Sequence, residues 1–382
     1  MRSPYFPART VLFHKEPNGV TYRVPALLYL SRSRCFLAFC EQRLSPSDSQ
    51  AHLLVMRKGT FYRNYVEWGD VRVLSTALLP GHRSMNPCPV YDEFTGTLFL
   101  FFIAILGHTS ESYQLRTGKN LSHLCFICST DEGETWSPVT DLTKKVIGDT
   151  IKEWATFALG PGHGIQLKSG RLLIPAYSYH IDCRECFGQL CLTTPHAFCF
   201  HSDNHGRTWR FGEAVPGPES VECQVVSVDE EDWDQCVVLQ RPQPSWIQGA
   251  GPQPGRWSGL SGGAIGAAAG GAQKWLPCWR GPWVIYEGPS AYSDLAYLEL
   301  PTSPGSPPVV AFACLFECGP KTAYDEICFC IFTLYELIDN LPQNGQQRNC
   351  DGARTSQSRS SGSRDAQRAS VGRQGEKEEQ AA

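Results

Sequence analysis

One eight-residue turn occurs twice in this chain and narrows the folds open to it. The first copy is Ser129-Thr130-Asp131-Glu132-Gly133-Glu134-Thr135-Trp136 and the second is Ser202-Asp203-Asn204-His205-Gly206-Arg207-Thr208-Trp209. Both read Ser-x-Asp-x-Gly-x-Thr-Trp, except that Asn204 replaces the aspartate. Asp or Asn closes a turn through its own side chain, Gly takes the positive-φ position, and Thr-Trp opens a strand with an aromatic to bury. A hairpin turn repeated at long spacing points to a repetitive all-β architecture.

The sequence around the repeat agrees. Short β-rich runs, such as Val24 to Leu30, Cys35 to Phe39, Thr97 to Ile105, Leu124 to Cys128, Arg171 to Tyr179 and Ala197 to His201, alternate with turn signals. Long helical periodicity is scarce. Many short strands fit a sandwich, a barrel or a propeller, and the repeated turn favours the propeller, one turn per blade.

Two regions depart from this pattern. Residues 248–273 are rich in Gly, Ala and Pro, and read as a low-complexity linker. Their Gly259 to Gly266 stretch has no preceding strand and no Lys-Ser/Thr, so a phosphate loop is a poor match. The tail, 342–382, is polar and nearly free of large apolar residues, hence expected to be disordered.

With 382 residues the chain can bury a sizeable core. Its formal charge is −4 and it has no basic stripe, so nucleic acid is not an expected partner. No apolar run of roughly 18 residues exists to span a membrane, and no export signal is evident. The expectation is an intracellular protein, cytoplasmic or peripherally held on internal membranes or the lysosome. Its 17 cysteines are then read as mostly buried, reduced thiols. Cys183-x-x-Cys186, followed by Cys191, has the nearest metal-like spacing, but it lacks a second clean pair and reads better as a Cys-rich loop. No metal, cofactor or obligate protein partner is expected.

Candidate chemistry comes from charged and tyrosine side chains inside strand-like segments. Glu41 and Arg43, two apart, share a strand face, as do Tyr177 and Tyr179. Arg23, Asp48, Glu222 and Tyr292 join them. Taken singly, each charge is more readily a structural ion pair, and each tyrosine a packed side chain with a satisfied hydroxyl.

Taken together they resemble one family. Tyr22 to Pro25, Glu41 to Arg43, His82 to Pro89, the two Asp boxes, Gly160 to His163, Pro175 to Tyr179 and Tyr292 to Leu295 follow, in order, the motifs of the vertebrate sialidase (neuraminidase) family. The likeness runs from about Thr10 to Val228 and resumes from about Trp279 to Leu341. It implies an all-β, six-bladed β-propeller over residues 1–341, with the site at the mouth of the central axis. It also implies an exo-α-sialidase that releases terminal sialic acid, with retention, from gangliosides, glycoproteins and oligosaccharides. In that reading Tyr292 is the nucleophile, Glu222 its polarising carboxylate and Asp48 the acid/base. Arg23 grips the substrate carboxylate and Glu317 orients it, while Arg43, Glu41, Met85, Asn86, Glu111, Tyr177 and Tyr179 line the sugar pocket.

The residue types suit the chemistry. Most retaining glycosidases attack with a carboxylate, and sialidases are the tyrosine exception. Sialic acid carries a carboxylate at its anomeric carbon, so a neutral hydroxyl avoids like-charge repulsion provided a base accepts its proton.

Residues 234–278 do not resemble the family. Two further arginines, another Asp box and a Gly-Cys-Gln-Gly-Ser segment belong there, and none is found. Arg241, Arg256 and Arg280 stand in foreign contexts and inherit no role. The expected propeller is therefore incomplete in this stretch. The alternative function is an impaired propeller that still binds sialosides, or a truncated product.

Overall fold

Alternating strand sequence becomes five antiparallel sheets in the computed structural model, which describes residues 5–62, 65–184, 191–215, 219–230, 233–242, 262–265, 283–300 and 307–341. The first sheet runs Thr21–Leu30, Cys35–Arg43, Ala51–Tyr62 and Tyr65–Trp68, with Arg72–Val73 beside its third strand. The second runs His82–Asp92, Thr97–Leu106, Ser122–Ser129 and Thr140–Asp141. The third runs Trp154–Leu159, Leu172–Cys183, Leu192–Ser202 and Arg210–Phe211, with Ile165–Gln166 added. The fourth has three strands, Ser220–Glu230, Trp233–Pro242 and Gly262–Ile265. The last holds Ser290–Leu300, Val309–Cys318 and Glu326–Thr333, and Arg9–His14 from the start of the chain completes it.

Apolar layers fill the spaces between successive sheets. Leu27, Phe36 and Val55 meet Leu298, Ala313 and Leu315 between the first and last sheets. Leu28 and Phe39 meet Leu100 and Phe102 between the first and second. Phe99 and Phe101 meet Trp154 and Phe200 between the second and third. Cys199 and Val215 meet Cys223 and Val225 between the third and fourth. Inner strands such as Thr21–Leu30, Cys35–Arg43 and Thr97–Leu106 thus bury both faces, which is why their sequences are nearly continuously apolar, whereas Ser290–Leu300 alternates buried and exposed.

The repeated turn has a packing purpose. In the first copy Ser129 Oγ accepts from Gly133 N (2.8 Å), and Asp131 Oδ1 accepts from Thr135 N (2.9 Å). In the second, Ser202 Oγ accepts from Gly206 N (2.9 Å), and Asn204 Oδ1 accepts from Thr208 N (2.9 Å). The amide therefore replaces the carboxylate without changing the turn. Each turn delivers its tryptophan to the preceding sheet, Trp136 edge-on to Phe39 and Trp209 edge-on to Phe101, at 6.2 and 4.6 Å between ring centroids. Gly206 has φ +78°, and a Cβ there would lie 2.2 Å from the Phe99 ring, so both backbone and space demand glycine.

This is a propeller arrangement, but it is not the six full blades that the sequence motifs imply. Among the described residues there are four sheets of four or more strands and one of three. Between the Glu222 strand and the Tyr292 strand, the described residues supply the three-stranded sheet. On the side of the last sheet that turns away from the first, Trp283, Ile285 and Tyr286 pack over Phe316 and the cysteines of the two middle strands. Two short helices, Glu111–Thr117 and Leu334–Asn340, complete the described elements of regular structure along with three brief non-α turns. No described helix is long and apolar enough to cross a membrane.

Most described cysteines are free and buried. Cys183 departs from the reduced-thiol expectation. It is disulfide-bonded. The low-complexity segment, except for Gly262–Ile265, and the polar tail 342–382 lie outside the described residues.

Candidate active site

The first strands of neighbouring sheets pack against one another, from the Tyr292 strand through those of Arg23 and Asn86 to Trp154–Leu159 and the Glu222 strand. Four of them are interrupted where a candidate residue sits. The pairing register shifts between Arg23 and Ala26, Met85 and Cys88, Val221 and Gln224, and Ser290 and Ser293. Three of these bulges hold a non-glycine residue at positive φ: Val24 at 55°, Asn86 at 53° and Glu222 at 54°. A bulge re-aims side chains and ends local pairing, and left-handed backbone of this kind costs on the order of 1–3 kcal/mol. The bulge recurs at equivalent places on strands from four sheets, where Arg23 and Glu222 both meet Tyr292 and the Asn86 N–H meets Glu41.

Tyr292 Oη donates a short hydrogen bond to Glu222 Oε1. Burial first, then the charge and acceptance of Glu222, push the Tyr292 hydroxyl well above its ordinary value, so it is neutral. Across the strand pair, Glu317 is fully buried and accepts from Arg23 Nε (3.0 Å) and Nη2 (3.3 Å). The same carboxylate accepts the backbone N–H groups of Val24 (2.8 Å) and Tyr292 (3.1 Å). Glu317 therefore fixes the Arg23 bulge and the Tyr292 backbone together. Burial opposes the charge on Arg23, and Glu317 more than offsets it. The guanidinium also lies over the Tyr324 ring at 4.0 Å and near the Tyr292 ring at 5.6 Å.

The opposite wall is built from the first two sheets. Arg43 is 1 % exposed, donates to Glu41 Oε2 (2.7 Å) and to Asp48, and Glu41 Oε1 accepts from Asn86 N (2.7 Å). Burial raises the Glu41 carboxyl despite Arg43 and Asn86. Asp48 opens a short 3-10 turn and is exposed at the mouth. Arg83, which sequence reasoning did not single out, ties that turn to the next loop. It donates to Asp48 O (3.3 Å), Gly107 O (2.8 Å) and Thr109 O (2.6 Å), and the loop leads into the helix that begins at Glu111.

Glu111 is exposed to solvent at the cleft, yet surrounded by enough protein to raise its carboxyl to about 7, with Asp48 and Glu222 adding to the effect. Tyr177 and Tyr179 are buried, their rings edge-to-face at 6.1 Å. Burial, then the nearby Glu111 and Glu222, pushes the Tyr177 hydroxyl well up. Met85 is buried on the strand that carries Asn86.

A second support was also missed. Asp294, two residues after Tyr292, accepts from Leu27 N (2.7 Å) and faces His163 Nδ1 at 2.9 Å. It links the Tyr292 strand, the Arg23 strand and the Gly160 to His163 loop. Its only sequence signal was membership in the Tyr292 to Leu295 motif, as that of His163 was membership in the Gly160 to His163 motif.

Of the arginines in foreign contexts, Arg256 and Arg280 lie outside the described residues. The Arg241 backbone pairs opposite Val221, beside the Glu222 bulge. Among the described residues, the cluster of metal-ligand type is Cys318, Glu326 and Cys328, and Cys318 follows Glu317 in the same strand.

Comparison with known proteins places the chain in a family. A BNR repeat-like domain profile matches residues 36–250. Sialidase-4 of Mus musculus is 39% identical over 88% of this chain and 95% of its own length. The chain belongs to the sialidase family. Sialidase-4 of Homo sapiens is 39% identical over 91% of this chain and 98% of its own, and sialidase-3 of Mus musculus 37% over 88% and 96%. The alignment to mouse sialidase-4 spans 459 positions against 382 residues here, so that relative carries segments this chain lacks. Among solved structures, the Hadza microbial sialidase Hz136 aligns with TM-score 0.58 at 17% identity, covering 84% of this chain and 67% of that one. NanB sialidase from Streptococcus pneumoniae aligns with TM-score 0.56 at 13% identity, covering 86% and 71%. These two likenesses speak to the fold. By its named relatives the chain is a glycoside hydrolase of the exo-sialidase kind.

Proposed function

We propose that this chain hydrolyses terminal α-linked sialic acid from gangliosides, glycoproteins and oligosaccharides, with retention, through Tyr292. The observation that carries the reading is the Tyr292–Glu222 hydrogen bond at a bulge in each of two strands. Arg23, held by Glu317, binds the substrate carboxylate through its planar fork. Tyr292 Oη attacks the anomeric carbon while its proton passes to Glu222, so no full anion meets the carboxylate. Asp48 protonates the departing glycosidic oxygen, and the leaving alcohol departs. In the second half Asp48 takes a proton from water, the water oxygen replaces the tyrosyl oxygen, and Glu222 returns its proton to Tyr292. Arg43, Glu41, Asn86, Met85, Glu111, Tyr177 and Tyr179 form the walls that orient the sugar.

Trapping decides the nucleophile. A fluorinated sialic acid that stalls the covalent intermediate should label Tyr292, located by peptide mass spectrometry. A label on Asp48 or Glu222, or turnover retained in Tyr292→Phe, would overturn the assignment.

A second reading has its own observation. Of the three arginines the family uses on the substrate carboxylate, only Arg23 is matched here, and the fold is short of the sheets implied by a six-bladed plan. In that reading the chain binds sialosides but turns them over poorly. Release of a fluorogenic sialoside at a rate comparable to a family member would exclude it. We also read residues 1–341 as the propeller domain, 342–382 as a separate tail, and the protein as intracellular, either cytoplasmic or peripherally held on internal membranes or the lysosome, which fractionation of cells would check.

A further inference from the structure

We propose that Cys318, Cys328 and Glu326 form a binding site for one thiophilic divalent metal ion of the zinc class. Cys318 ends one strand, Val309–Cys318, and Glu326 and Cys328 lie on its neighbour, Glu326–Thr333, with Cys318 opposite Glu326 in register. Their ligand atoms all lie within 4.8 Å of one another. Cys328 Sγ is 3.6 Å from Glu326 Oε2, close to the edge of about 3.5 Å between sulfur and oxygen ligands in a tetrahedron with zinc bonds of roughly 2.0–2.3 Å. Both cysteines are fully buried and Glu326 is half-buried, so the carboxylate faces the route from solvent while the sulfurs sit in a dry layer.

The surroundings favour an anionic, metal-loaded site. Binding a dication would release both thiol protons to solvent, leaving two thiolates and one carboxylate around it, a net charge of about −1. Arg9 supplies the compensating charge: its Nη1 lies 3.8 Å from Cys318 Sγ, and the guanidinium rests over the Tyr286 ring at 4.3 Å. A held cation donating N–H to a ligand sulfur would act as an outer-layer partner that orients the ligand and tunes the metal. Three protein ligands leave the fourth position to water. The site sits behind the cleft, because residues adjacent along a strand point to opposite faces: Glu317 holds Arg23 and Tyr292 on one side, and Cys318 points to the other.

Cobalt(II) titrated into the purified, reduced full-length chain tests this. One equivalent should give sulfur-to-cobalt charge-transfer absorption, displaced by zinc, and zinc should raise Tm. Cys318→Ser with Cys328→Ser should abolish the absorption, and Glu326→Gln, a milder change, should weaken zinc affinity by at least tenfold. Arg9→Leu should weaken it by about 10–100-fold, the range for outer-layer partners. The proposal is overturned if Glu326→Gln and the double cysteine variant, folded by circular dichroism, bind zinc as the parent does. It is equally overturned if the parent shows no charge-transfer band.

Discussion

At the residue scale the cleft works by keeping some groups neutral and others charged. Tyr292 is neutral because burial and Glu222 both disfavour its anion. Replacing Glu222 with Gln removes the proton acceptor, so kcat should fall by about 10²–10⁴ while sialoside binding persists, measured by steady-state kinetics beside inhibitor affinity. Glu111 sets a pH limit. Its carboxyl is raised from 4.5 to about 7, so it is protonated in acid and ionises as pH rises through about 7. An added anion beside Glu222 and Asp48 should repel the substrate carboxylate, so kcat/KM should decline above that pH. Glu111→Gln should flatten that limb. The sign for stability follows: a raised carboxyl contributes stability that is complete below about 4.5 and is lost as pH climbs through about 7. The parent's Tm should therefore fall across that window more than that of Glu111→Gln.

At the element scale, bulges and their buried acids decide where strands aim. Asp294 is 4% exposed and satisfies the Leu27 N–H while facing His163. Asp294→Ala leaves that buried N–H without its acceptor, which should cost about 1–3 kcal/mol in denaturant unfolding. It should also lower kcat through misplacement of Tyr292. The turn repeat predicts the opposite kind of result. Asn204 already reproduces the Asp131 geometry, so Asn204→Asp should shift Tm by no more than about 1 °C, under the roughly 2 °C that 1 kcal/mol gives in a large domain. The turn motif was legible in the sequence because its contacts are local. The bulges were not, because Val24, Asn86 and Glu222 adopt positive φ without any glycine to announce it.

At the scale of the whole molecule, the missing sequence matters more than any single side chain. Each charge-assisted contact to a carboxylate contributes on the order of 1.5–3 kcal/mol, so lacking two would lower kcat/KM by about 10²–10⁴. Grafting the segment of sialidase-4 that corresponds to residues 234–278 should restore that loss in a fluorogenic sialoside assay. It should also raise Tm, since a full blade would cover the sheets on either side. If Arg241, whose backbone lies opposite Val221, already serves the substrate, Arg241→Ala would cut activity in the ungrafted chain by a similar factor to Arg23→Ala.

Sequence alone determined the repeat, the β class and the ordered motifs, because turns, strand patterning and short-range residue spacing are local properties written in adjacent residues. Tertiary structure decided the rest, because it depends on partners far apart in the chain. Glu317 reaches Arg23 across 294 positions, and Tyr292 reaches Glu222 across 70. Arg83 stands in the His82 to Pro89 motif, but nothing there says that it binds the Asp48 turn to the Glu111 loop, since a buried guanidinium declares itself only through the three carbonyls that the fold gathers around it.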